Sequence, residues 1–261
     1  MSAAHRAVFQ RHVIVCVMAG ALVGLFWISR MNWSEEHRLW RASGDSSFVL
    51  LIITLAIGPL AKLWPVTNRL LPWRREIGIW FGILALIHSI VTIDGWIRWD
   101  VMRFFGYEYI PQLARYARVE PGFGLANATG AAAMLISLVL VATSSNWALT
   151  LLGASAWKWL QYAAYTVFYL VALHALYYLF IHFTESFHRG SAPPPDWFRY
   201  PSLVLVLLVL GLQSAAFLKT VARRKRMNLD TEQVVEDRPA LSGFKPRSGR
   251  SRQRPTEGTR R

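Results

Sequence analysis

Six apolar stretches, roughly residues 12–29, 47–64, 77–97, 124–144, 159–183 and 201–222, take up most of the first 222 residues of this chain. Each is near the roughly 20 residues that cross a bilayer as a helix. A segment in lipid has to satisfy its own backbone N–H and C=O groups, and a helix does so within itself. The pattern predicts an all-α, polytopic membrane protein: a six-transmembrane-helix bundle with a disordered basic C-terminal tail. With 54% of 261 residues hydrophobic and 17% charged, no polar stretch is left to fold as a separate nucleotide-binding domain. Arg6 and Arg11 before the first stretch would also suit a signal peptide. The run is long and no small-residue cleavage site follows, so it reads as a retained helix.

The charge is unevenly spread. Twelve of the 29 Lys and Arg fall in residues 223–261, a tail whose last part, 242–261, is also rich in Ser, Gly, Pro and Thr. Such a tail stays disordered and cationic near an anionic membrane. Its cluster Arg223, Arg224, Lys225 and Arg226 abuts the last helix and puts that side in the cytoplasm. An even number of spans then makes both termini cytoplasmic. The tail serves topology and lipid contact rather than nucleic acid. Arg69, Arg74 and Arg75 follow the second span on the same side. The opposite loop, residues 100–122, is aromatic and long enough for a short interfacial helix. Pro193, Pro194 and Pro195 forbid helix before the last span. The domain reading is residues 1–42 with the first span, 43–184 as a cofactor-binding bundle, 185–222 with the last span, and 223–261 as tail. No internal repeat stands out by eye.

The lone cysteine, Cys16, excludes an intrachain disulfide, an iron–sulfur cluster held by this chain alone, and covalent c-type haem. Two histidines carry the chemistry instead. His88 and His174 lie within the third and fifth stretches, both in the outer half of the bilayer. An ionisable side chain at that depth is functional by default. Two at matching depth on different helices can hold one iron between two imidazoles. Each could instead hydrogen-bond a neighbouring helix. Tyr165, Phe168, Tyr169, Tyr177, Tyr178 and Phe180 surround His174 with flat surfaces that suit a porphyrin. His182 and His188 fall near the outer end of the same helix and are expected to be interfacial and solvated, His182 being a weak candidate for a second site. His5, His12 and His37 lie at or beyond the membrane edges.

Phe48–Pro59 with Leu60, then Trp73-Arg74-Arg75-Glu76-Ile77-Gly78 and His88, resemble the ferric reductase-like transmembrane domain family. Ala142-Thr143-Ser144, Gly153, Trp157-Lys158-Trp159-Leu160 and His174 continue the likeness, which covers about residues 43–183. Within that family the chain is most similar to the haem-binding membrane subunits of bacterial protein-methionine-sulfoxide reductase systems, the MsrQ/YedZ type. The family pattern has a histidine 13 residues before the second ligand. Here that position is Gln161, a poor haem ligand that could simply meet water or a headgroup.

The resemblance implies one haem b per chain on His88 and His174, and electron transfer from quinol or a flavin or reductase donor to a periplasmic partner such as a molybdenum-dependent methionine sulfoxide reductase. Arg74 and Arg75 could hold the phosphate of FMN, or act as a positive-inside anchor. Such a chain is an electron-transfer subunit rather than a self-contained enzyme. The other reading is a haem-free, degenerate member acting as a membrane scaffold or assembly factor, and Gln161 favours it.

Overall fold

The computed structural model describes residues 3–119, 122–182 and 196–236. His188, the three prolines before Asp196 and the tail beyond residue 236 lie outside the described residues. Packing divides the chain into two units, Met1–Phe217 and Leu218–Arg261.

The first unit is helical. Helix α1 (Ala3–Ile28) leads to α2 (Glu35–Leu63), a 3-10 segment (Pro65–Trp73) and α3 (Arg74–Thr92), which ends in a π turn, Ile93–Ile97. Then come the short α4 (Val101–Phe104), strands β1 (Tyr107–Ile110) and β2 (Arg115–Arg118), α5 (Phe123–Ala142), α6 (Asn146–Gln161) and α7 (Ala163–Leu176), which runs into a π turn, Tyr177–Ile181. Helix α8 is Arg199–Glu236. Among the described residues, six helical stretches are long and apolar enough to cross a membrane: His5–Ile28, Glu35–Leu63, Pro65–Ile97, Phe123–Ala142, Asn146–Ile181 and Arg199–Leu229. Number and order match the six stretches read from the sequence.

The chain alternates between two ends of the bundle, and side-chain bonds mark them. At one end Arg11 of α1 pairs with Glu76 of α3 at 2.9 Å, and Arg75 donates to Asn146 of α6 at 3.0 Å. At the other, Arg30 after α1 meets Asp45 of α2 and Asp196 before α8, while Asn127 of α5 donates to the Phe104 carbonyl at 2.8 Å. Between them lies an apolar core with Leu50, Leu51 and Leu55 of α2, Phe81 of α3, and Val167 and Phe168 of α7. Hydroxyls within the helices bond back one turn, as Thr54 does to Leu50 and Ser137 to Ala133. That satisfies them without breaking the backbone ladder.

Three local features depart from the sequence reading. Helix α2 begins at Glu35, a dozen residues before the apolar run, and its first turns bury Arg38 and Asp45. The loop at residues 100–122 does hold a short helix, α4, capped by Asp100, which accepts from the Met102 N–H at 2.7 Å. A hairpin follows, with Tyr107 opposite Arg118 and Tyr109 opposite Tyr116, so the fold is all-α save for two short strands. Helical residues continue to Glu236, so the cluster Arg223–Arg226 sits in helix rather than in irregular chain.

Candidate metal centre

His88 projects from α3 and His174 from α7 into the space between the two helix pairs α2–α3 and α5–α7. Their ring centres are 6.5 Å apart and their planes are nearly perpendicular, at 80°. The Nδ1 of His88 lies 2.9 Å from the Trp40 carbonyl of α2, and the Nδ1 of His174 lies 2.8 Å from the Ala126 carbonyl of α5. A carbonyl only accepts, so each Nδ1 carries the hydrogen. Each Nε2 is thereby the lone-pair nitrogen, the tautomer a metal-ligating histidine needs. A second bond of this kind also fixes the ring and raises its basicity.

Both rings rest against glycines. A Cβ on Gly44 would stand 3.0 Å from His88 Nδ1 and Cε1, and one on Gly130 would stand 2.6 Å from His174 Nδ1. Any side chain at these positions would push the imidazole away from its carbonyl. The two halves repeat: carbonyl, glycine and histidine fall at 40, 44 and 88 in the first and at 126, 130 and 174 in the second. A pattern invisible as sequence identity is thus present as geometry, and the absence of a repeat by eye is corrected at these positions.

The donor set fits one iron held by two imidazoles. Two metal–nitrogen bonds of about 2 Å, with the half-widths of the two rings added, span about 6 Å, close to the observed separation. Both histidines are half-buried as residues. Among the described residues no group of three or more His, Cys, Asp or Glu converges. A haem iron takes up to two axial ligands from protein, so the pair suffices.

A buried ionic cluster lies beside the pair. Arg30 reaches Asp45 at 2.6 Å and Asp196 at 2.7 Å, and Arg41, next in sequence to Trp40, reaches Asp196 at 2.6 Å. Burial raises the Asp196 pKa, but Arg41 and Arg30, helped by the Phe198 N–H, outweigh it and hold the carboxyl below its ordinary value. Two arginines and two carboxylates balance each other, as buried charges must.

His182 is corrected. It is buried, not solvated, with its ring among Trp96 at 5.2 Å, Tyr178 at 5.3 Å and Phe123 at 5.7 Å. Tyr178 also lies 4.9 Å from the His174 ring and donates to Asn127. His37 is exposed at that end, bonded to Ser34. Arg74 and Arg75 sit at the opposite end and part company: Arg74 lies against Gly58 of α2, while Arg75 bonds Asn146 of α6. Gln161 faces Thr143, its Nε2 3.5 Å from the hydroxyl, rather than open water.

No protein-family model matches the chain. A search of curated proteins finds the protein-methionine-sulfoxide reductase heme-binding subunit MsrQ of Bordetella pertussis, 32% identical over 154 residues, which is 57% of this chain and 66% of that protein. The chain is similar to the MsrQ subunits. MsrQ of Ralstonia nicotianae is 28% identical over 134 residues, 51% of this chain and 55% of that protein. The magnetosome protein MamZ of Magnetospirillum gryphiswaldense is 27% identical over 168 residues, 64% of this chain but 22% of its own length. The chain thus spans just under two thirds of the Bordetella MsrQ and about half of the Ralstonia one. The six apolar helices and the likeness to MsrQ agree on a multi-pass membrane protein.

Proposed function

We propose that this chain is a haem b-binding membrane subunit that relays electrons to a periplasmic partner. His88 and His174 would be the two axial ligands, one haem per chain. The observation that carries the reading is the matched pair of imidazoles, each with Nδ1 tied to a carbonyl and Nε2 left as donor. A bound haem supplies a one-electron carrier of tunable potential. The protein's own part would be to present the two imidazole nitrogens at fixed spacing, each ring held by a carbonyl and a glycine. An iron that took both as ligands would favour electron transfer over oxygen chemistry.

The MsrQ likeness supports a methionine sulfoxide reductase, molybdenum-dependent in the family reading, as the partner. Electrons would come from quinol or from a flavin or reductase on the cytoplasmic side. Arg74 and Arg75 diverge, which weighs against a shared FMN phosphate cradle. The basic cluster after the last span favours cytoplasmic termini in the inner membrane. The outward end is then the one holding the hairpin, Asp196 and the histidine pair.

A reduced-minus-oxidised visible spectrum of the detergent-purified protein, with haem stoichiometry, tests the reading beside His88→Ala and His174→Ala. Low-spin b-type bands near one haem per chain, lost in both variants, are expected. Colourless protein from haem-replete cells would sink the proposal and leave the scaffold reading that Gln161 favours.

A further inference from the structure

Two apolar segments at the Arg74 end of the bundle have almost nothing packed over them. The 3-10 segment Pro65–Trp73 buries none of its residues. Helix α6 buries only Ala148 and exposes Trp147 by 72%, Leu151 by 66% and Trp159 by 77%. Neither segment is needed to cross the bilayer. The fifth apolar stretch, Asn146–Ile181, has 36 residues. At 1.5 Å per residue it would be about 54 Å long, against a hydrocarbon core of about 30 Å. The part from Ala163 onward already covers about 28 Å. The surplus is α6, and it is broken at Gly153, whose φ of 75° and ψ of 153° leave the helical region.

Both segments lie at the same end. Arg75, just after the 3-10 segment, bonds Asn146 at the start of α6, and Trp157 near the close of α6 donates to the Thr143 carbonyl at 2.9 Å. Helix α6 therefore leaves the bundle and returns to it at one face. The charges along this rim are of one sign: Lys62, Arg69, Arg74, Arg75 and Lys158. The acid beside them, Glu76, is buried and bonded to Arg11. Indole rings at Trp64, Trp73, Trp147, Trp157 and Trp159 complete the rim. Tryptophan collects at membrane interfaces, where its ring is apolar and its N–H stays wet. A basic rim is drawn to anionic headgroups.

We propose that Pro65–Trp73 and α6 form an in-plane collar that docks on the headgroup layer of anionic phospholipid. The occupant follows from two observations: the rim is cationic, and it carries exposed apolar side chains at Trp147, Leu151 and Trp159. A soluble acidic partner would match the charge but would leave Leu151, Trp147 and Trp159 in water. The collar takes Arg69 and Lys158, both exposed, as lipid phosphate contacts and does not depend on haem.

The test uses full-length protein with Cys16→Ser, carrying an environment-sensitive fluorophore on Leu151→Cys, in vesicles of phosphatidylcholine with or without phosphatidylglycerol. Probes on Leu173→Cys, in α7, and Leu113→Cys, in the hairpin turn, give deep and aqueous references. With iodide on both sides of the bilayer, quenching at Leu151 should be several-fold weaker than at Leu113. A nitroxide near the headgroup should quench Leu151 more than one deep in the acyl chain. Phosphatidylglycerol should strengthen the shielding, and Arg69→Gln with Lys158→Gln should remove that gain. Iodide quenching equal to Leu113 would overturn the collar. So would deep quenching like that at Leu173, or shielding that is lost when each vesicle holds one copy.

Discussion

His88 and His174 have the same surroundings: each offers its Nδ1 hydrogen to the main-chain carbonyl 48 residues earlier, and each leans on a glycine one helical turn beyond that carbonyl. The two helix pairs are held to the same local geometry, and the rings meet across the gap between them.

The glycines should be sensitive too, though less than the histidines. Gly130→Ala puts a Cβ at 2.6 Å from His174 Nδ1, whereas Gly44→Ala puts one at 3.0 Å from His88. Contacts under about 3 Å force a shift, and an imidazole that moves loses its carbonyl. Haem content of purified protein is expected to fall further in Gly130→Ala than in Gly44→Ala, with the remaining bands broadened or shifted toward high spin. Equal, full occupancy in both variants would show that the rings do not need this cradle.

Haem should stabilise the fold only through the pair. A ligand at 100 times its Kd adds about 2.7 kcal/mol. Wild-type protein from haem-replete cells should therefore melt higher than protein from haem-starved cells, and His174→Ala should show no difference between the two preparations. Thermal unfolding followed by tryptophan fluorescence would report it.

Asp196→Asn should loosen the tie between α1, α2 and α8. Removing one partner of a buried ion pair typically costs about 3–5 kcal/mol, and Asp196 serves both Arg30 and Arg41. The pH dependence has a definite sign. The folded carboxyl titrates below its unfolded value. Its contribution is complete above about pH 3.9 and is lost as pH falls through the lower folded value. Unfolding midpoints of the wild type and the variant, measured from neutral to acid pH, should converge below about pH 4.

The hairpin is the outward docking candidate. Tyr109 and Tyr116 pair across the strands at 5.5 Å and both are exposed. Asp100, Arg103, Tyr107 and Glu108 join them around a cleft of about 290 Å³. On the proposed function, replacing Tyr107 and Tyr109 with Ala should slow electron delivery to the proposed periplasmic partner while leaving the haem spectrum intact. Stopped-flow reoxidation of the reduced protein by that partner would show it, and an unchanged rate would remove the hairpin from the route.

The six spans were legible because lipid imposes length and apolarity on each one separately. His88 and His174 were legible because a lone imidazole in such a run is costly. Their supports were not. Trp40 and Ala126 act through carbonyls, which every residue has. Gly44 and Gly130 look like ordinary helical glycines until the histidine 44 residues on is counted from each. Arg41 and Asp45 lay outside the apolar run first read as the second span, so their burial with Asp196 depended on a contact far along the chain. His182 looked solvated because it stands near a helix end. Trp96 and Phe123, distant in sequence, close over it.

The duplicated cradle also sets an order of events during synthesis. Half of it, with His88 on α3, leaves the ribosome 86 residues before His174 emerges on α7. Neither half alone offers more than one of the two imidazoles. A group between them could be gripped from both faces only when α5 and α7 have entered the bilayer beside α2 and α3. The cofactor would then act as a rivet set late, joining two hairpins already inserted, and a chain truncated before α7 would be left with a half-socket that cannot close.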